Sequence, residues 1–328
     1  MRRLWLILAL VSFGLHAALP WGFWAHKRIN RIAVFTLPQE MFGFYKHHIE
    51  YITASAVNPD KRRYSSADEA PRHYIDIDHY GTYPFDNVPR HWDSAVAKFT
   101  EDTLLAYGIV PWHVNRMMGW LTAAFREKDA ARILRLSTEL GHYIADAHVP
   151  LHTTENYNGQ LTNQVGIHGF WESRIPELFG DDYDYFVGKA KYIEHPLDEI
   201  WDIVLASHRL VDSVLLVEKK LREEFPADQV YSFEQRGNVT AKVYSEAYTT
   251  AYDARLNNMA ERRLRESVID VGSFWFTAWV NAGQPDLDGL INQRVVEELQ
   301  KENEMMEKDS VYSDKKIIGR EHPNTGEE

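Results

Sequence analysis

The stretch Leu140-Gly141-His142-Tyr143-Ile144-Ala145-Asp146-Ala147-His148-Val149-Pro150-Leu151-His152 decides the reading of this 328-residue chain. From Ala130 to Ala147 apolar side chains recur at Ile133, Leu134, Leu136, Leu140 and Ile144, which is the helical period, and Pro150 ends the helix. His142 and Asp146 stand four apart, so both side chains leave one helix face and can reach a common ion. His152 follows just past Pro150, where a turn brings it back toward the same cavity. The segment Ile167-His168-Gly169-Phe170-Trp171-Glu172 repeats the four-residue spacing at His168 and Glu172. One His-x-x-x-Asp pair is more often a hydrogen-bonded core pair than a ligand set. Two such pairs with a histidine between them, flanked by apolar residues, make a metal pattern, because helices hold such ligands at fixed separation.

Working outward, helical periodicity dominates and an all-α fold is expected. Ser94 to Tyr107 carries Val96, Phe99, Leu104 and Leu105 and is closed by Gly108; Pro111 then occupies the first turn of the next helix. Leu197 to Glu224 reads as a further helix, and Phe233 to Ala282 as one or two long helices broken near Asn257. No region alternates with period two over several runs, so a sheet is not expected to organise the fold. Residues 58–91 and 153–167 are rich in Pro, Asp, Asn, Tyr and Gly and read as loops. From Lys301 the chain is charged and poor in apolar residues, so 301–328 is expected to be a disordered tail.

At the amino end Arg2 and Arg3 precede an apolar run from Leu4 to Leu15 and small residues at Ala17 and Ala18. This is the layout of a secretory signal over residues 1–20, and the run is shorter than the roughly 20 apolar residues a spanning helix needs. A mature chain outside the cytoplasm, secreted or periplasmic and without a transmembrane segment, follows as the expectation. With 45% hydrophobic residues the chain can bury a substantial core, and with no cysteine it draws stability from packing or bound metal. The lack of cysteine excludes thiolate sites and leaves His, Asp and Glu as ligands; such a set suits zinc, with iron or manganese as alternatives. A net charge of −12 gives no general attraction to nucleic acid or anionic membrane.

Three further candidates stand in the amino-terminal half: His26 in Trp21-Gly22-Phe23-Trp24-Ala25-His26, Asp60 in Asn58-Pro59-Asp60, and His73 in Pro71-Arg72-His73-Tyr74. Basic residues crowd the same segments at Lys27, Arg28, Lys61, Arg62, Arg63 and Arg72, with Arg174 further on. They read either as solvated surface or as contacts to a substrate phosphate. Phe23, Trp24, Tyr64, Tyr74, Tyr80, Tyr83, Phe85 and Trp92 are core residues, an apolar rim around a lipid site, or stacking platforms for nucleobases.

The run His142-x-x-x-Asp146-x-x-x-x-x-His152, with the segments around it, resembles the superfamily that joins zinc-dependent bacterial phospholipases C to secreted single-strand-specific nucleases. The resemblance spans roughly residues 21–180. It implies an all-helical domain, here residues 21–300, around three zinc ions. By that resemblance Asp60, His73, His142 and Asp146 hold one ion. Asp146 bridges to a second, completed by His26 and by the backbone amine and carbonyl of Trp21 when cleavage follows Pro20. His152, His168 and Glu172 hold the third. The resemblance also implies a phosphoester hydrolase: zinc lowers the pKa of a bound water to about 7, and Asp60 orients or deprotonates that water.

Glu172 as the last ligand, the short spacing from His152 and the missing cysteines resemble the phospholipases. The Trp-Gly start resembles the nucleases. A phospholipase C-like enzyme is the first expectation, with a single-strand nuclease or nucleotidase as the alternative and a phospholipid or single-stranded nucleic acid as substrate. A non-catalytic, zinc-stabilised helical binding protein is the reading from another class. No stable protein partner is implied.

Overall fold

The computed structural model describes residues 23–63, 65–236, 239–291 and 293–310. The stretch expected to be a signal sequence, Trp21, Tyr64 and the chain beyond 310 lie outside the described residues. Helices dominate, with one two-stranded hairpin among the described residues, so the fold is predominantly α. No helix among them is long and apolar enough to cross a membrane.

The pair that organises the first core is α7, Val110–Glu127, and α8, Ala130–Ala147; these follow α1, Phe23–Ala33, α2, Gln39–His47, α3, Ile49–Ser55, α4, Asn58–Arg62, α5, Trp92–Phe99, and α6, Glu101–Tyr107. Pro111 sits in the first turn of α7, as expected from its fixed φ and missing N–H. Lys128 closes α7 in the left-handed region at φ 55°, and Asp129 caps α8 by accepting the Arg132 N–H at 3.0 Å. A two-residue connection folds such helices back on one another. Val114, Met117, Leu121 and Phe125 of α7 then meet Ile133, Leu134, Leu140 and Ile144 of α8 in one buried cluster.

After α8 the chain makes a 3₁₀ turn, Pro150–Thr153, a loop, and the single turn α9, Ile167–Gly169, which continues as a π-helical turn, Phe170–Arg174, and α10, Ile175–Phe179. Next come α11, Pro196–His208, and α12, Val211–Glu224, then strands β1, Tyr231–Arg236, and β2, Val239–Tyr244, and helices α13, Glu246–Arg255, α14, Met259–Asn281, and α15, Gln293–Ser310. The 23-residue α14 packs on α1, α7 and α8, where the Trp275 indole N–H donates to the Ser137 carbonyl at 2.9 Å. A second apolar cluster gathers Val149, Leu151, Ile167, Phe170, Trp171 and Ile175 against Val214, Tyr248 and Tyr252. The seam between the two clusters therefore runs through the end of α8, where the candidate ligands are.

Five sequence expectations are corrected. The stretch 58–91, expected to be a loop, opens with helix α4, because Pro59 in its first turn favours a helical start. The stretch from Phe233 is not helix at first: β1 and β2 pair antiparallel, Tyr231 opposite Tyr244 and Arg236 opposite Val239. The β-branched Val239, Thr240 and Val243 suit a pleated surface better than a helix. The expected helix over 94–107 is two helices, separated by Thr100 at φ 70°, whose hydroxyl accepts the Thr103 N–H. The expected helix over 197–224 is also two, broken at Arg209–Leu210 with neither Gly nor Pro there. Finally, α15 continues to Ser310, ten residues into the stretch expected to be a tail. The break near Asn257 lies where expected: Asn257 and Asn258 adopt φ 55° and 52°, which Asn tolerates better than most residues.

Helix α1 lies close against α8 because residue 141 is Gly. A Cβ built there would stand 2.1 Å from the Asn30 Oδ1, and the buried Asn30 is pinned by its Nδ2 donating to the Thr138 carbonyl at 2.9 Å. Gly141→Ala is therefore expected to lower the free energy of unfolding by about 2 kcal/mol through overpacking. Urea denaturation measures this; a loss within about 0.5 kcal/mol would mean that Asn30 swings aside without cost.

Candidate metal centre

The predicted ligands that are described arrive at one place from several separate elements. Helix α8 presents His142 and Asp146 one turn apart, with the His142 Nε2 3.3 Å from the Asp146 Oδ2. Helix α4, opened by Pro59, carries Asp60, whose Oδ1 lies 3.7 Å from both the His142 Nε2 and the His73 Nδ1. The 3₁₀ turn Ala70–His73 brings the His73 Nδ1 to 2.9 Å from the Asp146 Oδ2 and 3.1 Å from the His142 Nε2. Helix α1 brings His26, stacked on the His142 ring at 3.9 Å, with its Nε2 3.3 Å from the Asp146 Oδ1 and 3.8 Å from the Glu172 Oε1.

The turn after Pro150 does return His152, whose Nε2 is 3.5 Å from the Glu172 Oε2. The π-helical turn lets His168 and Glu172 share a face, Nε2 to Oε2 at 2.7 Å. Local π geometry of this kind recurs at functional sites. Eight of the nine predicted ligands thus converge; the ninth, Trp21, lies outside the described residues.

They fall into three groups in which the donor atoms lie within 4.8 Å of one another: Asp60 with His73 and His142, His26 with His142 and Asp146, and His152 with His168 and Glu172. The two Asp146 oxygens divide their attention. Oδ2 faces His73 and His142, and Oδ1 faces His26. This is the placement a bridging carboxylate requires. His142 also belongs to both of the first two groups, whereas the sequence expectation put it in the first alone.

The chemistry of this donor set fits a divalent cation. A backbone carbonyl only accepts, so each ring nitrogen bonded to one must carry the proton. Nδ1 of His142 donates to the Ala56 carbonyl at 2.9 Å, that of His152 to the His73 carbonyl at 2.7 Å, and that of His168 to the Tyr157 carbonyl at 3.0 Å. Each neutral ring then aims a bare Nε2 at carboxylate oxygens in a buried space. Lone pair against lone pair is repulsive unless every ring takes a second proton or a cation sits between. Histidines whose outer nitrogen is held in this way are typical of metal sites.

The charges agree. Burial opposes protonation of His142, but Asp146 and Asp60 outweigh it and raise its pKa to about 9. Burial likewise opposes the charges on Asp146 and Glu172, yet His142 and His152 hold the first, and His152 and His168 the second, well below the usual carboxylate range. The nearly as buried His113 of α7 shows the contrast: burial dominates and lowers its pKa to about 3. Burial alone does not make a histidine cationic; these carboxylates do.

A pH prediction follows. In the folded metal-free protein the His142 pKa lies above its ordinary 6.5, so its stabilisation is complete below pH 6.5 and is lost as the pH rises through about 9. Metal must displace that proton. Adding zinc to chelator-treated protein is expected to release about one proton from His142 at pH 7.5, and the release to fade above pH 9. An indicator-dye titration measures it; pH-independent release across this range would contradict the assignment.

Four of the seven basic residues noted in the sequence have carboxylate partners. Arg62 and Arg72 both pair with Glu69, at 3.2 and 2.8 Å, and Arg62 reaches Glu139 at 2.6 Å as well. Arg174 pairs with Glu234 and donates to the Tyr244 carbonyl, and Arg28 pairs with Asp181 while lying over Trp24 and Tyr185. Of the described aromatic residues among those candidates, Phe23, Tyr74 and Phe85 are core, Trp24, Tyr80 and Trp92 pack against it, and Tyr83, 54% exposed, is open to solvent. Glu69 was missed in the sequence although it stands four residues before His73, the same spacing that marked the other pairs. No family model and no curated protein matches the chain.

Proposed function

We propose that the chain is a zinc-dependent phosphoester hydrolase of the phospholipase C and single-strand nuclease type, exported by its first twenty residues and acting on a phospholipid in preference to a nucleic acid. The observation that carries this reading is the division of the Asp146 oxygens between two adjacent histidine groups, with a third group sharing Glu172 close by. A purely structural ion has no use for a carboxylate shared with a neighbour, and adjacent ions are suited to activating water and steadying a phosphate. Zinc, when bound, supplies a Lewis acid and a water acidic enough to attack phosphorus at neutral pH.

The residues of the chain do the rest. Asp60, His73 and His142 form one wall, and His152, His168 and Glu172 the other. Glu172 and Asp60 are the more accessible carboxylates, 13% and 10% exposed, so substrate reaches the centre past them. Asp60 orients the attacking water and takes its proton, because its carboxylate joins the cluster from the short helix α4 and is less enclosed than that of Asp146. The rings of His152 and His168, fixed through the carbonyls of His73 and Tyr157, hold the second wall rigid while charge moves to the leaving oxygen. Glu172 in the last position, as in the phospholipases, favours the lipid substrate.

The test is to measure zinc per chain and to assay the mature protein on phosphatidylcholine and single-stranded DNA side by side, with and without 1,10-phenanthroline. Chelator-sensitive release of diacylglycerol is the expected result. Nucleotide release alone would move the assignment to the nuclease side, and zinc binding with no turnover on either substrate would leave a metal-stabilised binding protein.

A further inference from the structure

We propose that Glu69 is a positioning residue that fixes the tautomer of His73 and so sets the affinity of the ion held by Asp60, His73 and His142. The inference rests on the metal reading above. The other three well-oriented rings, His142, His152 and His168, turn Nδ1 to a main-chain carbonyl and Nε2 to the centre. His73 is reversed: its Nδ1 faces Asp146 and His142, and its buried Nε2 makes no hydrogen bond. The Glu69 Oε1, 3.5 Å away, is the acceptor that Nε2 faces. For Nδ1 to offer a lone pair inward, the proton must sit on Nε2, and Glu69 favours it there.

Glu69 is itself fully buried and over-determined. The Arg62 Nε and Arg72 Nη1 donate to its Oε2 at 3.2 and 2.8 Å, and the Tyr143 hydroxyl donates to its Oε1. Tyr143 stands next to His142 on α8, and Arg62 closes the α4 helix that carries Asp60. These donors offset the cost of burying the carboxylate charge. Here the carboxylate ties together the three elements that bring His142, Asp60 and His73 to one ion. The two arginines that read in the sequence as solvated surface or as phosphate contacts hold this carboxylate in place.

The experiment is a buffered-zinc titration of the intact protein and of Glu69→Gln and Glu69→Ala, with the ring ¹⁵N signals of His73 recorded in the zinc-loaded state. Glu69→Ala is expected to weaken one of the bound ions about 10- to 100-fold. Glu69→Gln should restore part of that loss, because its amide oxygen can face the Nε2 proton as the carboxylate does. The ¹⁵N signals should place the proton on Nε2 in the parent. Should Glu69→Ala fail to fold with Arg62 and Arg72 unpaired, Glu69→Gln carries the test by itself with a smaller loss. Zinc curves identical to the parent, or a His73 proton found on Nδ1, would overturn the proposal. A parent chain that takes up no zinc removes the metal reading and this inference together; a parent that binds zinc as its variants do removes only the role of Glu69.

Discussion

Asp146→Asn is expected to lower phosphoester hydrolysis by at least about 1000-fold and to cost the chain at least one bound ion. The change keeps size and shape. It replaces one of two carboxylate oxygens by an amide N–H₂, which cannot ligate, and removes the negative charge that both neighbouring groups use. Asp146 contacts His26, His73 and His142 and is buried at the end of α8, so no solvent substitutes for the lost oxygen. Zinc per chain and turnover on phosphatidylcholine, read together, check the prediction. A variant that turns over within about tenfold of the parent would mean that this carboxylate is not the bridge.

The second large effect concerns stability. Stripping zinc with a chelator is expected to lower Tm by about 10 °C, and adding it back to restore the loss. An ion present at about a thousand times its dissociation constant adds about 4 kcal/mol, and a chain of this size moves by roughly 2–4 °C per kcal/mol. The chain has no disulfide to compensate. Without metal, the charges on Asp146 and Glu172 are offset by protons on the neighbouring histidines. Calorimetry before and after chelation measures the shift; a Tm unchanged by full removal would show that the cluster folds equally well empty.

Much of this centre was legible because its ligands come at helical spacing. His142 with Asp146 and His168 with Glu172 declare themselves as four-residue pairs, and Pro150 declares the turn that returns His152. His26, Asp60 and His73 came from the likeness of whole segments, since each stands alone in its own stretch. The partners of the arginines were not legible. Arg62 finds Glu139 and Arg174 finds Glu234, 77 and 60 residues away, and no local pattern announces such a meeting. The hairpin was misread because its runs are short and the helical pattern on either side is strong. Its flanking signal was nevertheless present, two β-rich runs separated by Gly237 and Asn238.

Three of the rings in the centre owe their orientation to main-chain oxygens, at Ala56, His73 and Tyr157. A point mutation exchanges a side chain but cannot delete a carbonyl. The aim of those rings is thus inherited with the path of the backbone. His73 differs: its outer nitrogen faces the side chain of Glu69, which a point mutation can remove.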